Sequence, residues 1–414
     1  MRRIMASLDL GSNNIKLLVG EMQKGKLNVL ACVDVVSQGI KQGFIINQES
    51  ATLALKDAFK KAETMIGLPI RKVIVCVPAY NTDCFVSTGS ATIKSEDKVI
   101  TSNDIIRSMQ LSIYKKVEEN KDVVSIMPMK FIIDDNDTVK NPINMIGNKL
   151  TIKDVVTTIP KKNSETIIKC LENINVKVVD ICISPLADYY AFQKPEYSKT
   201  YCAVVNIGQS NTVVSIFNKG IIIACEVLDI GTNNVDNDIA YIFKINKKDA
   251  NYLKEHFVNL DINSANPSEA VDMNDVNGTS FKINQYDISA VVISRLHQIF
   301  NLIKKQINLL TKKEISYIIF SGGVSELKNF ESLILEEFGN KAILGNVTEL
   351  GARNNKYSVV SGMIKYYDTR LRLRNGNFGL FTDDELEELG GKQKRINISD
   401  NSLLGKIFGL FFDN

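Results

Sequence analysis

The sequence predicts an α/β fold of two lobes, each a copy of one strand-rich unit, facing each other across a cleft, with a small α+β unit inserted in the first lobe. Three observations carry this. The run Met5-Ala6-Ser7-Leu8-Asp9-Leu10 is an apolar strand that meets a polar residue and then Gly11; Tyr201-Cys202-Ala203-Val204-Val205-Asn206-Ile207 does the same into Gly208. A repeated strand–glycine–strand unit marks an internal duplication. A third glycine turn, Ser321-Gly322-Gly323, follows the apolar run 315–320, and ligand sites between α/β halves lie at such strand ends. Residues 82–160 differ in texture from both copies and read as the insert. A chain of 414 residues has room for all three parts.

Taken in order, residues 15–19 and 26–36 continue the first copy as strands. Residues 51–66 carry helical periodicity, with Leu53, Leu55, Phe59, Ala62 and Ile66 on one face. Residues 71–77 form a buried strand closed by Pro78. The insert brings strands, a charged helix around 104–116 and the loop Asp134-Asp135-Asn136-Asp137. A helix (164–173), a strand (176–183) and a helix opening at Ser184-Pro185 follow. The second copy comprises strands 201–207, 212–217 and 221–227. Residues 261–287, rich in Asn, Asp and Ser, read as an exposed loop before a helix over 288–310.

Composition narrows the function. Fifty Lys and Arg against 47 Asp and Glu leave a net charge of +3, which argues against a nucleic-acid partner. No run reaches the roughly 18–20 apolar residues of a membrane-spanning helix. Asp9 and Gly11 interrupt the apolar start too early for a signal peptide, so a cytoplasmic chain is expected. The seven cysteines form no C-x-x-C pair and read as small buried hydrophobes. Two distant histidines, His256 and His297, argue against a zinc site or a His-based triad.

The glycine turns carry the chemistry. Asp9-Leu10-Gly11-Ser12-Asn13-Asn14-Ile15-Lys16 is a hairpin of small polar residues, and such a turn aims backbone N–H groups at one point, an anion-binding concavity. Lys16 would add a positive charge there, and Asp9 suits a magnesium ion held through water. The same residues also describe a plain hairpin. Gly208-Gln209-Ser210-Asn211-Thr212 is a second such turn, and Ser321 to Val324 a third.

This ordered set resembles the actin and DnaK-type ATPase superfamily: a first phosphate loop (Asp9 to Lys16), a second (Asn206 to Thr212) and an adenosine loop (Ser321 to Val324). The helices Ser184 to Phe192 and Ser358 to Lys365 match its connecting helices, with Gly362 suited to close packing. Within the superfamily the chain is most similar to the FtsA family of bacterial division proteins. The insert sits where that family has its distinctive SHS2-like subdomain. The stretches Asn141-Pro142-Ile143-Asn144-Met145-Ile146-Gly147, Ile230-Gly231-Thr232 to Asn237-Asp238-Ile239-Ala240, and Ser37 to Gly43 match family segments. The resemblance implies a first large subdomain from 1–81 and 161–198, the insert at 82–160, a second large subdomain from 199–229 and 311–369, and its small subdomain at 230–310. It implies ATP with Mg2+ bound by Asp9, Gly11, Ser12, Asn13, Asn14 and Lys16, by Asn206, Gly208, Gln209, Ser210 and Asn211, and by Gly231, Thr232, Asn251, Lys254, Gly322, Gly323 and Val324. The family usually has Asp where Asn206 stands, glycines where Gln209 and Thr232 stand, and Glu where Asn251 stands. An amide carries no charge to hold metal and orient water, so slow or absent hydrolysis is expected.

The resemblance further implies filaments of this chain, the FtsZ C-terminal tail docked on 230–310 with Arg295 in reach, later division proteins as partners, and work at the cytoplasmic face of the membrane at the septum. The C-terminal residues fit an anchor. Residues 370–400 read as a tether, and 401–414 as an amphipathic helix capped by Ser402. Leu403, Leu404, Ile407, Phe408 and Phe411 share one face, widened by Leu410 and Phe412, with Lys406 toward the other. Two other functions fit the superfamily. One is a small-molecule kinase, for which Asp188 and Asp236 are the candidate bases although both also read as helix-surface charge; the other is a pilus-assembly ATPase.

Overall fold

A computed structural model describes residues 3–373. The first lobe opens with β1 (Arg3–Leu10), β2 (Asn14–Gln23) and β3 (Lys26–Val36), an antiparallel meander in which Asp9 faces Lys16. A small hairpin, β4 (Ile40–Lys41) and β5 (Phe44–Ile45), leads to α1 (Gln48–Ile66). Asn47 caps α1 by accepting from Ser50 N, and Gly67 ends it in the left-handed region. β6 (Lys72–Val77) then runs parallel to β1.

The chain next leaves for the insert. β7 (Asp83–Thr92), α2 (Ser102–Ile113), β8 (Lys121–Ile133), β9 (Asp137–Val139) and β10 (Lys149–Pro160) build a separate antiparallel sheet in the order β7-β10-β8-β9. Gly89 lets α2 lie directly on that sheet, because a Cβ there would sit 2.1 Å from Ser108 O. Back in the lobe, α3 (Glu165–Glu172) and β11 (Lys177–Ile183) complete the sheet order β11-β6-β1-β2-β3, and α4 (Ser184–Phe192) crosses to the second lobe.

The second lobe repeats this plan. β12 (Tyr201–Ile207), β13 (Thr212–Asn218) and β14 (Ile221–Leu228) form the meander, and β17 (Tyr317–Ser321) and β18 (Ala342–Leu344) add the parallel strands, giving β14-β13-β12-β17-β18. Between the two groups stand α5 (Thr232–Phe243), α6 (Lys247–His256), the hairpin β15 (Ala270–Asn274) and β16 (Ser280–Asn284), and α7 (Gln285–Leu310). After β17 come α8 (Phe330–Phe338) and, past β18, α9 (Ser358–Leu373). Each lobe has its own apolar core, one reaching from β1–β3 to α4 and α9, the other gathered on α7, and the insert has a third. The duplicated two-lobed α/β fold with an α+β insert is the predicted one.

Three expectations need correction. Leu53 is 59% exposed; Leu55, Phe59 and Ala62 are buried as expected, but the rest of the buried face of α1 is Ala51, Ala54 and Ala58. Side-chain size misled the assignment, since small alanines let α1 pack close. Residues 261–287 are not one loop: they hold the β15–β16 hairpin, in which Val271, Met273, Phe281 and Ile283 alternate with polar residues and pack on the second lobe's core. The tether does not begin at residue 370. α9 runs to Leu373, and Arg370 bonds Asp180 at 2.7 Å inside the first lobe. The amphipathic anchor at 401–414 lies outside the described residues. Among the described residues no helix is long and apolar enough to cross a membrane.

Candidate functional site

The two lobes meet at a cavity of about 560 Å³, within the range of small-ligand sites. The two loops expected to hold phosphate form its facing walls, and they are folded alike. Gly11 N donates to Asn14 O at 3.1 Å, and Gly208 N donates to Asn211 O at 2.9 Å. Gly11 has no room for a side chain, since a Cβ would meet Asn14 O at 2.7 Å, and Gly208 is tight, with Asn211 O 3.1 Å from a Cβ. The same turn at the same point of both meanders places Asp9 opposite Asn206 across the cleft. Ser37 Oγ donates to Gly11 O at 2.6 Å, and Gln42 N donates to Ser12 Oγ at 2.9 Å, so the first loop is braced.

The third loop closes the floor. Gly322 has φ +96°, and a Cβ on it would strike Ile207 O at 2.3 Å, so only glycine lets β17 turn there. A Cβ on Gly323 would meet nothing within 4 Å, which leaves a bare backbone edge on the cavity. Ser325 Oγ donates to Gly322 O, and buried Asn355 donates to both Ser325 Oγ and Gly345 O, fixing the loop from behind.

Of the residues expected to bind nucleotide, Asp9, Gly11, Ser12, Asn13, Asn14, Lys16, Asn206, Gly208, Gln209, Ser210, Asn211, Thr232, Asn251, Lys254, Gly322, Gly323 and Val324 all line this cavity. Gly231 does not. It stands behind the second loop, where a Cβ would meet Gly208 O and Gln209 O at 2.6 Å. Its neighbours Thr232 and Asn233 donate their N–H groups to those same carbonyls, so the α5 N-terminus serves as a buttress.

The charges are paired. Lys16 Nζ lies 3.4 Å from Asp9 Oδ2. Lys254 bonds Asp236 at 2.7 Å and Asn251 at 3.0 Å. Burial raises the Asp236 carboxyl above its usual range, and Lys254 opposes that rise. Asp188 is fully buried; burial pushes it up to about 6 against the pull of hydrogen bonds from Ser358, Asn206 and Ser321. Asp188 and Asp236 are therefore not the helix-surface charges expected from the sequence.

Other residues went unforeseen. Asp34 and Lys356 pair at 2.8 Å beside the first loop, and Asn14 Nδ2 donates to Asp34. Asp34 and Lys356 are far apart in sequence, and no local pattern joins them. Tyr80 and Gln42 from the first lobe both donate to Asp229 of the second, at 2.7 and 3.0 Å. Arg295 is engaged within the chain: its guanidinium bonds Asp238 through two nitrogens, at 2.5 and 2.8 Å, clamping α7 to α5.

Two duplicated lobes whose strand-end loops converge on one cleft define the actin-like ATPase fold. Solved structures agree. The chain is similar to MreB5 of Spiroplasma citri bound to ADP (TM-score 0.55, 15% identity, 90% of this chain and 99% of that one). It is also similar to PilM in a PilM–PilN type IV pilus biogenesis complex (TM-score 0.57, 12% identity, 87% and 98%). The family model for cell division protein FtsA matches residues 203–362, and that for the SHS2 domain inserted in FtsA matches 80–158. Curated relatives named cell division protein FtsA include that of Bacillus subtilis, 25% identical over 92% of this chain and 87% of the relative. That of Borreliella burgdorferi is 24% identical over 98% of each. The chain belongs to the FtsA family.

Proposed function

We propose that this chain is an ATP-binding scaffold that polymerises and tethers FtsZ filaments to the cytoplasmic face of the membrane at the division septum. The observation that supports this most is the pair of like-folded glycine turns on opposite walls of the cleft. Ser12, Asn13 and Lys16 would face the β- and γ-phosphates, Gly208 to Asn211 would close the other side, and Gly322-Gly323 would admit the adenosine. Backbone N–H groups in such turns suit phosphate.

Magnesium fits on the same terms. Among the described residues no group of three or more His, Cys, Asp or Glu is gathered to hold a metal. Mg2+ needs no such cage, since it keeps several waters and takes phosphate oxygens, with Asp9 bound through water. Asn206 brings no carboxylate to the opposite wall, so hydrolysis is slow or absent and ATP acts by favouring one cleft conformation. The kinase reading loses its two candidate bases, because Asp236 is paired with Lys254 and Asp188 already accepts from three donors.

The FtsZ C-terminal tail would dock on the small subdomain at 230–310, and later division proteins would join the assembly. Residues 401–412 would supply the anchor. The deciding experiment is electron microscopy of the full chain on lipid monolayers, with and without Mg-ATP, alongside co-sedimentation with FtsZ. Nucleotide-dependent filaments on lipid that recruit FtsZ are expected; a chain that neither binds ATP nor assembles sinks the reading.

A further inference from the structure

We propose that Asp188 is a positioning residue: it holds the Asn206 side chain so that its acceptor oxygen, and not its NH2 group, faces the cleft. There Oδ1 would receive a proton donor from the hydrated metal–nucleotide group, so the inference rests on the nucleotide-cleft reading above.

Asn206 stands at the end of β12 and lines the cavity, half-buried. Its Nδ2 donates to Asp188 Oδ2 at 2.6 Å. A carboxylate only accepts, so this bond dictates which way the amide is turned. Among the described residues this is the one hydrogen bond the Asn206 side chain makes. Its Oδ1 is thus left without a donor, and it stands beside Gly322, where a Cβ would sit 2.8 Å away and cover it. Asp188 is itself held firmly. Ser358 Oγ donates to its Oδ1 at 2.6 Å and Ser321 Oγ at 3.2 Å, so α4, β12, β17 and α9 converge on one carboxylate. Nothing about Asp188 requires it to touch the ligand.

Charge arithmetic makes the pair testable. Asn206→Asp alone would set a second carboxylate against the buried Asp188 at the present 2.6 Å, and the two cannot both ionise there. Asp188→Asn would keep a partner for Asn206 but allow either amide orientation. The double variant Asp188→Asn/Asn206→Asp would restore a single bond with donor and acceptor exchanged. The carboxylate it introduces on β12 would turn its second oxygen toward the cleft with no need of orienting.

The test is titration of a fluorescent ATP analogue into the full chain, once with Mg2+ and once with EDTA, together with melting temperatures. For Asp188→Asn, Mg-ATP binding should weaken about fivefold, roughly the worth of one hydrogen bond, while metal-free binding changes less. Asn206→Asp should lower the melting temperature, and the double variant should recover both stability and the Mg2+ effect. Asp188→Asn with an unchanged Mg2+ effect, or Asn206→Asp as stable as wild type, overturns the positioning role while leaving nucleotide binding standing. A wild-type chain blind to nucleotide overturns both.

Discussion

At the scale of single residues, Gly322 couples the backbone to the ligand space. Its φ of +96° is costly for any L side chain, and a Cβ would collide with Ile207 O. Gly322→Arg adds a long cation at the loop that the adenosine is expected to approach. ATP affinity should fall by at least about fivefold from backbone strain of about 1–3 kcal/mol alone. Fluorescent ATP titration measures this, with circular dichroism to confirm folding. Asp154, buried in the insert between β10 and α2, makes a different prediction. Burial pushes its carboxyl up to about 6, while a hydrogen bond from Ser112 and the charge of Lys116 oppose the rise. Its Oδ1 has no hydrogen-bond partner. The folded state therefore holds this proton more tightly than the unfolded chain, and stability falls as pH rises from about 4 through about 6. Asp154→Asn removes the titration. Its melting temperature, relative to wild type, should be higher at about pH 8 than at about pH 4.5, and a pH-independent difference would contradict the assignment.

At the scale of elements, α4 and α9 show how closely packing can be specified. A Cβ on Gly362 would lie 1.8 Å from Ala187 O, so the two helices touch backbone to backbone. Gly362→Ala must push them apart at the crossing of the lobes, and overpacking of this kind costs about 1–3 kcal/mol; a lowered melting temperature checks it. The α5–α7 clamp makes a second case. Arg295→Glu would oppose two carboxylates, and Asp238→Arg in the same chain should restore the pair. Recovery of FtsZ-tail binding with the pair would assign Arg295 a supporting role; continued loss would mark it as a contact. How much of this was legible follows from locality. The meanders and their glycine turns were readable because strand, turn and strand are adjacent in sequence, and the duplication showed them twice. Gly362 was readable as a close-packing glycine. The β15–β16 hairpin was missed because two five-residue strands in a stretch rich in Asn, Asp and Ser give only a short signal, although Val271, Met273, Phe281 and Ile283 alternate with polar residues and Asn277-Gly278 is a hairpin turn signal. Asp188 was misjudged because its partners Asn206, Ser321 and Ser358 come from three other elements, which periodicity within α4 cannot reveal.

At the scale of the whole molecule, the lobes are joined below the cleft by α4 and α9 and across its mouth by Tyr80 and Gln42 on Asp229. A ligand between like-folded loops is therefore placed to bias how the lobes stand, and through that would alter the fit of one copy to the next in the proposed filament. On the proposed reading, filament formation would then govern membrane attachment. Residues 403–412 contain seven large apolar side chains, whose partial burial in a lipid surface would contribute roughly 10 kcal/mol before costs. Ordering about a dozen residues at around 1 kcal/mol each cancels most of that. Lys392, Lys394 and Arg395 would add about 1 kcal/mol each on anionic lipid. One tail should bind weakly, and a filament that displays many should bind tightly, because each further tail is already held at high effective concentration. On the amphipathic-helix reading of 401–414, Phe408→Glu would place a charge at the centre of the apolar face. The variant should leave liposomes in a flotation assay while its ATP affinity stays at the wild-type value, and covalent dimerisation of the wild-type chain should raise its lipid binding more than about tenfold. If Phe408→Glu floats with lipid as wild type does, the anchor lies elsewhere in the chain.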